Sequence, residues 1–352
     1  MLPPLMAVAA WQAGGAVTPE ALERELAAAH RPRPILYWAD LGSAVGIGWT
    51  AFTFAGLNWG GAAGWLAFGA AVLALYRAVL FIHELAHLAR GAVPGFALVW
   101  DLVAGFPLLA PSLLYVGSHG DHHKTKIYGT AEDPEYAPLA HWSFARLLGA
   151  SLALLAVPAL LALRWGVLGP LGWGIPPLRR WLTLHLSTLV INTSYRRRAP
   201  RGVMARRWLH EEIGAGCVVW SAAAAAATGL LPLRWLGLWY GLLAAILMLN
   251  HLRTLAAHRY TNQGERMDAA EQLADSISLW GPAWLRPLTA LLAPVGLRFH
   301  ALHHWFPTLP YHSLGAVHRA LARELPAEAD YLRTVVPALA AQLAALVTRS
   351  GR

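Results

Sequence analysis

The chain has 352 residues, of which 57% are hydrophobic and only 13% are charged, and its formal net charge is +9. Soluble domains carry about 25% charged residues. With a mean hydropathy of +0.42, the composition argues against a soluble domain and predicts an integral membrane protein. The basic residues flank apolar runs, as the positive-inside rule describes, and we expect no nucleic-acid partner. The single cysteine, Cys217, excludes a disulfide framework and a thiolate metal cluster.

The apolar stretches predict the membrane spans, since a spanning helix needs about 20 mostly apolar residues. Clear candidates are 36–57, 62–82, 146–165, 213–232 and 236–256. The stretch 98–117 contains Asp101 and two prolines, so we expect a half-membrane or interfacial hairpin there. The stretch 171–193 contains two prolines and two arginines and predicts at most a short return span. The fold class that follows is all-α integral membrane, with four to six transmembrane helices.

The order of polar and apolar segments predicts three regions. Residues 1–35 form an N-terminal cytoplasmic segment, 36–260 hold the transmembrane helices, and 261–352 form a polar, histidine-rich cytoplasmic cap. The basic stretches HRPRP at 30–34 and YRRRAPRGVMARR at 195–207 are predicted to be cytoplasmic by the positive-inside rule. Both termini are then cytoplasmic.

Histidines are grouped in the sequence rather than scattered. HELAH at 83–87 ends the second predicted span, HGDHH lies at 119–123 and HALHH at 300–304. Positions i, i+3 and i+4 share one helix face, so each box aims two or three imidazoles at one point. Imidazole suits iron, copper, zinc and nickel. The predicted metal ligands from these boxes are His83, His87, His119, His122, His123, His300, His303 and His304.

A further histidine, His258, closes the last predicted span and is expected on the same membrane face as the boxes. HELAH alone also matches the HExxH signature of zinc proteases, but such a site needs only one further ligand. Nine convergent histidines suit two metal ions. Two first-row metals with neutral ligands beside a lipid-facing pocket indicate iron and dioxygen chemistry.

The three boxes resemble those of the membrane fatty acid desaturases and related hydroxylases, whose pattern is HxxxH, HxxHH and HxxHH. The third box continues as HALHHWFPTLPYHSLGAVHRAL, similar to that family's HxxHH-hydrophobic-FPxxPxHxL pattern. YGTAEDPEY after the second box is similar to a bacterial branch. The resemblance covers roughly 36–330 and implies a desaturase-like fold with a diiron centre held by these nine histidines. The family often has an Asn four residues before the fourth-region histidine, where this chain has Thr254, while Asn250 and His251 lie one to two turns back.

The resemblance implies an oxygen-dependent diiron desaturase that acts on a fatty acid or acyl lipid in the bacterial inner membrane, with its active site facing the cytoplasm. Dioxygen would be the cosubstrate. Electrons would come from a separate donor of the ferredoxin or cytochrome type that docks on the arginine-rich face. The boxes do not separate desaturation from hydroxylation or from decarboxylation to a terminal alkene. More distant alternatives are an intramembrane zinc protease and a non-catalytic metal carrier.

Polar residues near the boxes are candidates for orienting the ligand histidines. Glu84 and Asp121 lie inside boxes, and Asp133 and Glu135 follow the second box. His312 matches the family pattern after the third box, whereas His318 is expected on the surface of a helix at 314–324. The full set of predicted supporting residues is Glu84, Asp121, Asp133, Asn250, His251 and His312.

Overall fold

A computed structural model describes residues 27–350, and these are mostly helical. The predicted N-terminal segment 1–35 therefore lies largely outside the described residues. Within residues 27–350, three helices are long and apolar enough to cross a membrane: Ala62–His87, Phe144–Gly174 and Leu233–Leu255. They coincide with three of the five clear candidate spans.

The predicted spans 36–57 and 62–82 form a helical hairpin. Helix α1 is Pro34–Leu57, and α2, Ala62–Val79, continues almost directly into α3, Phe81–His87. Gly48 allows α1 to pack closely against α2, because a Cβ at this position would lie 2.5 Å from the side chain of Leu75. An ion pair joins the hairpin near the end that carries the first box, where Arg77 Nε donates to Asp40 at 2.6 Å. The second predicted span therefore runs five residues further than expected and includes His83 and His87 within its last turns.

Between residues 88 and 143 the chain makes only short elements. Helix α4, Phe96–Trp100, passes into a π-turn at Asp101–Gly105, and a 3-10 turn follows at Ser112–Leu114. The one-turn helix α5 is His119–His122, and another 3-10 turn is Leu139–His141. No described element in this stretch is long enough to cross, as expected for 98–117.

The fourth apolar stretch forms one interrupted helix, Phe144–Gly174. It consists of α6 (Phe144–Ala153), a 3-10 turn, α7 (Val157–Leu163), a π-turn at Arg164–Leu168 and α8 (Gly169–Gly174). Pro158 and Pro170 have no backbone N–H to donate, and the irregular turns precede them. This helix runs to Gly174, and the only helix in the rest of the stretch 171–193, where at most a short return span was expected, is α9, Pro176–His185.

Arg164 is buried within that helix because it has an acidic partner. Its Nη2 donates to Glu212 Oε1 at 2.6 Å, and Arg179 also pairs with Glu212. Arg164 and Arg179 thus share one carboxylate partner within the protein.

A second helical hairpin follows. Helix α10 is Val203–Ala227 and α11 is Leu233–Leu255. Helix α10 begins ten residues before the predicted span 213–232 and ends earlier, because Gly229 adopts a positive φ of 75° in the turn. The hairpin packs on the first one, where the ring of Trp235 leaves no room for a Cβ at Gly56.

The rest of the chain forms short elements that cover the histidines. The helices are α12 (Ala269–Asp275), α13 (Arg286–Leu292), α14 (His300–Trp305), α15 (Tyr311–Glu324), α16 (Asp330–Arg333) and α17 (Leu339–Ser350). Strands β1 (Ser278–Leu279) and β2 (Val335–Val336) pair in parallel. A capping box at Asp268 and Glu271 starts α12.

Candidate metal centre

The three histidine boxes lie on three separate helices, which meet His258 at one end of the helical hairpins. His83 and His87 share a face of α3, His119 and His122 lie on α5 with His123 at its C-terminus, and the third box lies on α14. His258 follows α11 and is fixed by an antiparallel bridge to Ser276. The structure therefore brings together every histidine that the sequence predicts as a ligand.

One group contains a histidine pair from the first box. His83, His87, His119 and His303 each offer a nitrogen, and these nitrogens lie within 4.8 Å of one another. His123 joins them, because its Nε2 lies 3.0 Å from His119 Nε2 and 3.1 Å from His303 Nε2. This five-histidine set is called group one below.

The second group contains His122, His258, His300 and His304, whose ligand nitrogens also lie within 4.8 Å of one another. His300 Nε2 is 2.9 Å from His258 Nε2 and 3.1 Å from His304 Nε2. Around one metal with metal–nitrogen distances near 2.05 Å, neighbouring nitrogens of an octahedron lie about 2.9 Å apart. The spacing in this set, called group two below, fits nitrogens that share an ion.

Unpartnered nitrogens show that the two groups fit metal ions. Among the described residues, five buried imidazole nitrogens of these two groups have no hydrogen-bond partner, and such nitrogens are costly to bury unless something binds them. They are His83 Nδ1, His83 Nε2, His87 Nε2, His122 Nε2 and His300 Nδ1.

The electrostatics of the site also favour metal binding, for which imidazole must be neutral. Burial is the main cause that lowers the pKa of His258 and lowers the pKa values of other ligands far below their ordinary value. Those ligands are His119, His123, His300, His303 and His304. At His122 burial acts in the same direction, but the carboxylates of Asp133, Glu135 and Asp275 together outweigh it and raise the pKa.

Carboxylates orient the rings of three ligands. His119 Nδ1 lies 2.6 Å from Glu135 Oε1, and His122 Nδ1 lies 2.9 Å from Asp133 Oδ1. Asp133 is itself held by the backbone N–H groups of Gly129 and Glu135, both at 2.8 Å. With Nδ1 engaged in this way, Nε2 is left to face a metal.

A third carboxylate, that of Asp275, lies beside His258 and is not among the residues that the sequence predicts to orient ligands. Asp275 Oδ2 lies 3.5 Å from His258 Nδ1, and Tyr128 donates to the same carboxylate at 2.9 Å while lying 2.8 Å from the imidazole. Asp275 ends α12 and has no fixed spacing to any box, so only the tertiary structure reveals its place.

Two acidic residues inside the boxes, Glu84 and Asp121, were predicted to orient ligand histidines but contact other residues. Glu84 accepts hydrogen bonds from the Tyr37 hydroxyl at 2.6 Å and the Tyr311 backbone N–H at 3.2 Å. Asp121 accepts from Tyr195 at 2.8 Å and pairs with Lys124. Neither carboxylate hydrogen-bonds to a ligand histidine, since their helix faces point away from the two groups.

The other predicted supporting residues have hydrogen-bond partners that are not ligand histidines. His251 Nε2 is 2.9 Å from Ser151 Oγ, and His312 Nε2 accepts from the Arg33 backbone N–H at 3.2 Å. Asn250 Oδ1 accepts from Arg253, as does Thr254 Oγ1. The contacts of His251 and His312 therefore join separate elements, and a supporting role at the metal site stays a prediction.

His318 was expected on the surface and is instead fully buried. Its Nδ1 lies 2.6 Å from the Tyr331 hydroxyl, and its ring packs against Trp280 and Phe299. The prediction was wrong because the inner face of α15 packs on the elements that carry β1 and α14, which the local sequence does not reveal.

Comparisons with known proteins agree with this geometry. A family profile described as fatty acid desaturase matches residues 57–335. A ceramide hydroxylase from Caulobacter vibrioides (strain NA1000 / CB15N) is 37% identical over 318 residues, which cover 90% of this chain and 90% of that protein. No solved structure gives a significant match. The profile and the relative together show that the chain belongs to the fatty acid desaturase family.

Proposed function

We propose that this protein is a membrane-bound, oxygen-dependent diiron hydroxylase that acts on the acyl chain of a lipid. The observation that carries the proposal is the pair of buried histidine groups with unpartnered nitrogens. The family and the relative indicate an oxidoreductase. Since the relative is a ceramide hydroxylase, hydroxylation of an N-acylated lipid is the first outcome to test.

The residues of the chain provide binding and orientation. Group one would hold one iron and group two the other. When bound, two irons supply the activation of dioxygen and the oxidation of an unactivated C–H bond. Asp133 and Glu135 fix the ring orientation of His122 and His119, and the buried surroundings exclude water from the site.

Desaturation is the second candidate, because the family profile bears that description. Both reactions begin by removing hydrogen from the same kind of C–H bond and differ in the next step. Decarboxylation to a terminal alkene has no observation in its favour. A zinc protease would need Glu84 free as a general base, whereas this carboxylate is bound by Tyr37 and Tyr311.

An external electron donor would dock on the segment 195–206, which runs from a loop into the first turn of α10. Four of its arginines are exposed: Arg196, Arg198, Arg201 and Arg206. The loop is anchored beside the second box, because Tyr195 donates to Asp121 and Arg197 donates to the carbonyl oxygen of Val116 at 2.6 Å. An acidic ferredoxin- or cytochrome-type protein is electrostatically complementary to this face.

The test is lipid analysis of cells with and without the protein, together with metal analysis of the purified protein. We expect two irons per chain and a ceramide or other acyl lipid that gains one oxygen atom. His122→Ala serves as the inactive control. A product that loses two hydrogens instead would establish desaturation. A single zinc without oxygen consumption would contradict both reactions.

A further inference from the structure

The short helix α13 and the 3-10 turn before it, Ala283–Leu285, expose an apolar face. Trp284 is 78% exposed, Leu288 is 50% exposed and Leu291 is 43% exposed. Positions i, i+4 and i+7 lie on one side of a helix, and Thr289 on the other side is buried. Three large apolar side chains in one exposed patch are typical of contact with a partner or a membrane.

Helix α13 contacts a candidate membrane-spanning helix near one of its ends. The Tyr76 hydroxyl donates to the carbonyl oxygen of Leu292, the last residue of α13, at 2.9 Å. Tyr76 belongs to the helix Ala62–His87, which is long and apolar enough to cross the membrane, and the next residue, Arg77, pairs with Asp40. Charged side chains of a spanning helix reach toward the headgroups near its ends. Because α13 lies beside this ion pair, we expect its apolar face at the boundary between headgroups and acyl chains.

Three arginines gather at the start of α13 and are called the arginine cluster below: Arg286, Arg298 and Arg319. The guanidinium groups of Arg286 and Arg298 both lie over the ring of Trp280, at 4.0 Å and 5.9 Å from its centre. Arg298 also lies over the Phe299 ring at 4.8 Å. Arg319 of α15 comes near the same ring, because a Cβ at Gly315 would lie 3.4 Å from Phe299 and 3.6 Å from Arg319 Nη1. Aromatic rings therefore bring the three guanidinium groups to one site.

The arginine cluster has no acidic partner among the described residues, where every ion pair of an arginine involves a different arginine. Arg286 Nε donates to the carbonyl oxygen of Gly281 at 2.9 Å. Burial is the main cause that lowers the pKa of Arg298, and the charges of three nearby arginines, two of them from the cluster, lower it further. The pKa of the neighbouring His318 falls to about 4, first through burial and then through the three charges of the cluster. Like charges that share a site without a counter-ion are suited to bind an anion.

We propose that the arginine cluster binds the phosphate group of an anionic membrane phospholipid, whose acyl chains pack against Trp284, Leu288 and Leu291. Guanidinium groups present paired donors that match phosphate oxygens. A helix with basic side chains beside Trp and Leu is typical of segments that lie in the interface of an anionic membrane. An acidic protein would match the charge but would leave the apolar face uncovered. The site would serve the protein whichever reaction it catalyses.

A phospholipid bound here would also hold the third histidine box near the membrane. Arg298 lies two residues before His300, the first residue of α14. The arginine cluster therefore links the membrane surface to the helix that carries this box.

The first test measures lipid binding by the purified full-length protein in detergent, using native mass spectrometry. The probes are dioctanoyl phosphatidylglycerol, which is anionic, dioctanoyl phosphatidylcholine, which has a phosphate but no net charge, and inorganic phosphate. We expect phosphatidylglycerol to bind most tightly, and Arg319→Gln and Arg298→Gln each to weaken its binding roughly tenfold, as for a lost hydrogen bond to a charged group. Arg333→Gln is the matched control, because Arg333 is an exposed arginine of the cap that pairs with Asp330. Arg319 is exposed, so its replacement should leave the melting temperature unchanged.

The second test asks whether the apolar face touches the bilayer. Leu288→Cys, in a Cys217→Ser background that removes the native cysteine, is labelled with a fluorophore and reconstituted into nanodiscs. Nitroxides on the lipid acyl chains should quench this label strongly. The same label at Glu328→Cys, an exposed position elsewhere in the cap, should be quenched little.

Equal phosphatidylglycerol affinity in Arg319→Gln, Arg298→Gln and Arg333→Gln would overturn the assignment, as would equal quenching at positions 288 and 328. Equal binding of phosphatidylcholine would contradict a site for an anionic lipid, and inorganic phosphate that binds as tightly as phosphatidylglycerol would identify a free anion as the ligand instead. If the cluster variants weakened binding of an acidic ferredoxin but not of the lipid, the cluster would be a docking site for a protein.

Discussion

Binding of each metal ion depends on its individual histidine ligands. Replacing His122 with Ala removes a ligand from group two, and replacing His303 removes one from group one. We expect each variant to lose about one iron and to lower activity by more than about 100-fold, because even residues that only orient ligands contribute 10- to 100-fold. Metal analysis and turnover of purified protein check this. Near-normal activity in either variant would contradict the diiron assignment.

His258 lies outside the three boxes, and its role as a ligand needs its own test. Its Nε2 lies 2.9 Å from His300 Nε2, so we expect His258→Ala to lose iron and activity as His122→Ala does. His185→Ala is the control, because that histidine contacts the carbonyl oxygen and the ring of Trp181 at the end of α9 and belongs to neither histidine group. If both variants keep the iron content of the parent, His258 is not a ligand.

Asp133 orients His122 without binding a metal itself. Asp133→Asn keeps the size of the side chain but weakens its hydrogen bond to His122 Nδ1, so we expect a 10- to 100-fold loss of metal affinity. Asp121→Asn is the matched control inside the second box, since Asp121 contacts Tyr195 and Lys124. Metal titration of the apoprotein measures both. Equal affinities in the two variants would show that Asp133 has only a local structural role.

Between elements, the buried contact of Arg164 and Glu212 joins the interrupted helix Phe144–Gly174 to α10. Glu212→Ala leaves this arginine buried without its partner and should destabilise the protein by about 3–5 kcal/mol. Glu328→Ala, at an exposed position in the cap, should have no measurable effect. Thermal unfolding in detergent compares the two, and similar melting temperatures would mean that Glu212 is dispensable for packing.

The histidine boxes could be predicted because their spacing is local. Positions i, i+3 and i+4 share a helix face wherever the helix lies, so the sequence indicated which imidazoles reach the site. The prediction that each box aims at one point was wrong for the second and third boxes, because the structure divides the histidines of each between the two groups. Glu212 and Asp275 could not be found in this way. Glu212 lies 48 residues from Arg164 and Asp275 lies 17 residues from His258, and only the packing of whole elements brings them together. The same reason explains why His318 was expected on the surface.

For the molecule as a whole, side-chain contacts place the basic segments on the same side as the metal centre. Tyr195 binds Asp121 in the second box, and the Arg33 backbone donates to His312, which follows the third box. Gln342 in the C-terminal helix donates to the carbonyl oxygen of His258 at 3.0 Å. The chain between the second box and Tyr195 must therefore cross the membrane an even number of times or not at all.

Because the basic segments and the metal centre lie on the same side, the basic segments predict which side of the membrane the metal centre faces. The stretches 30–34 and 195–207 are rich in arginine, and such segments stay in the cytoplasm by the positive-inside rule. Since Gln342 lies beside His258, the C-terminus should be cytoplasmic too. A reporter that is active only outside the cytoplasm, fused after Arg352, should give no signal, whereas the same reporter fused in the turn between α1 and α2, at Gly60, should be active. A strong signal from the C-terminal fusion would place the histidines on the outer face and remove the cytoplasm as the source of electrons.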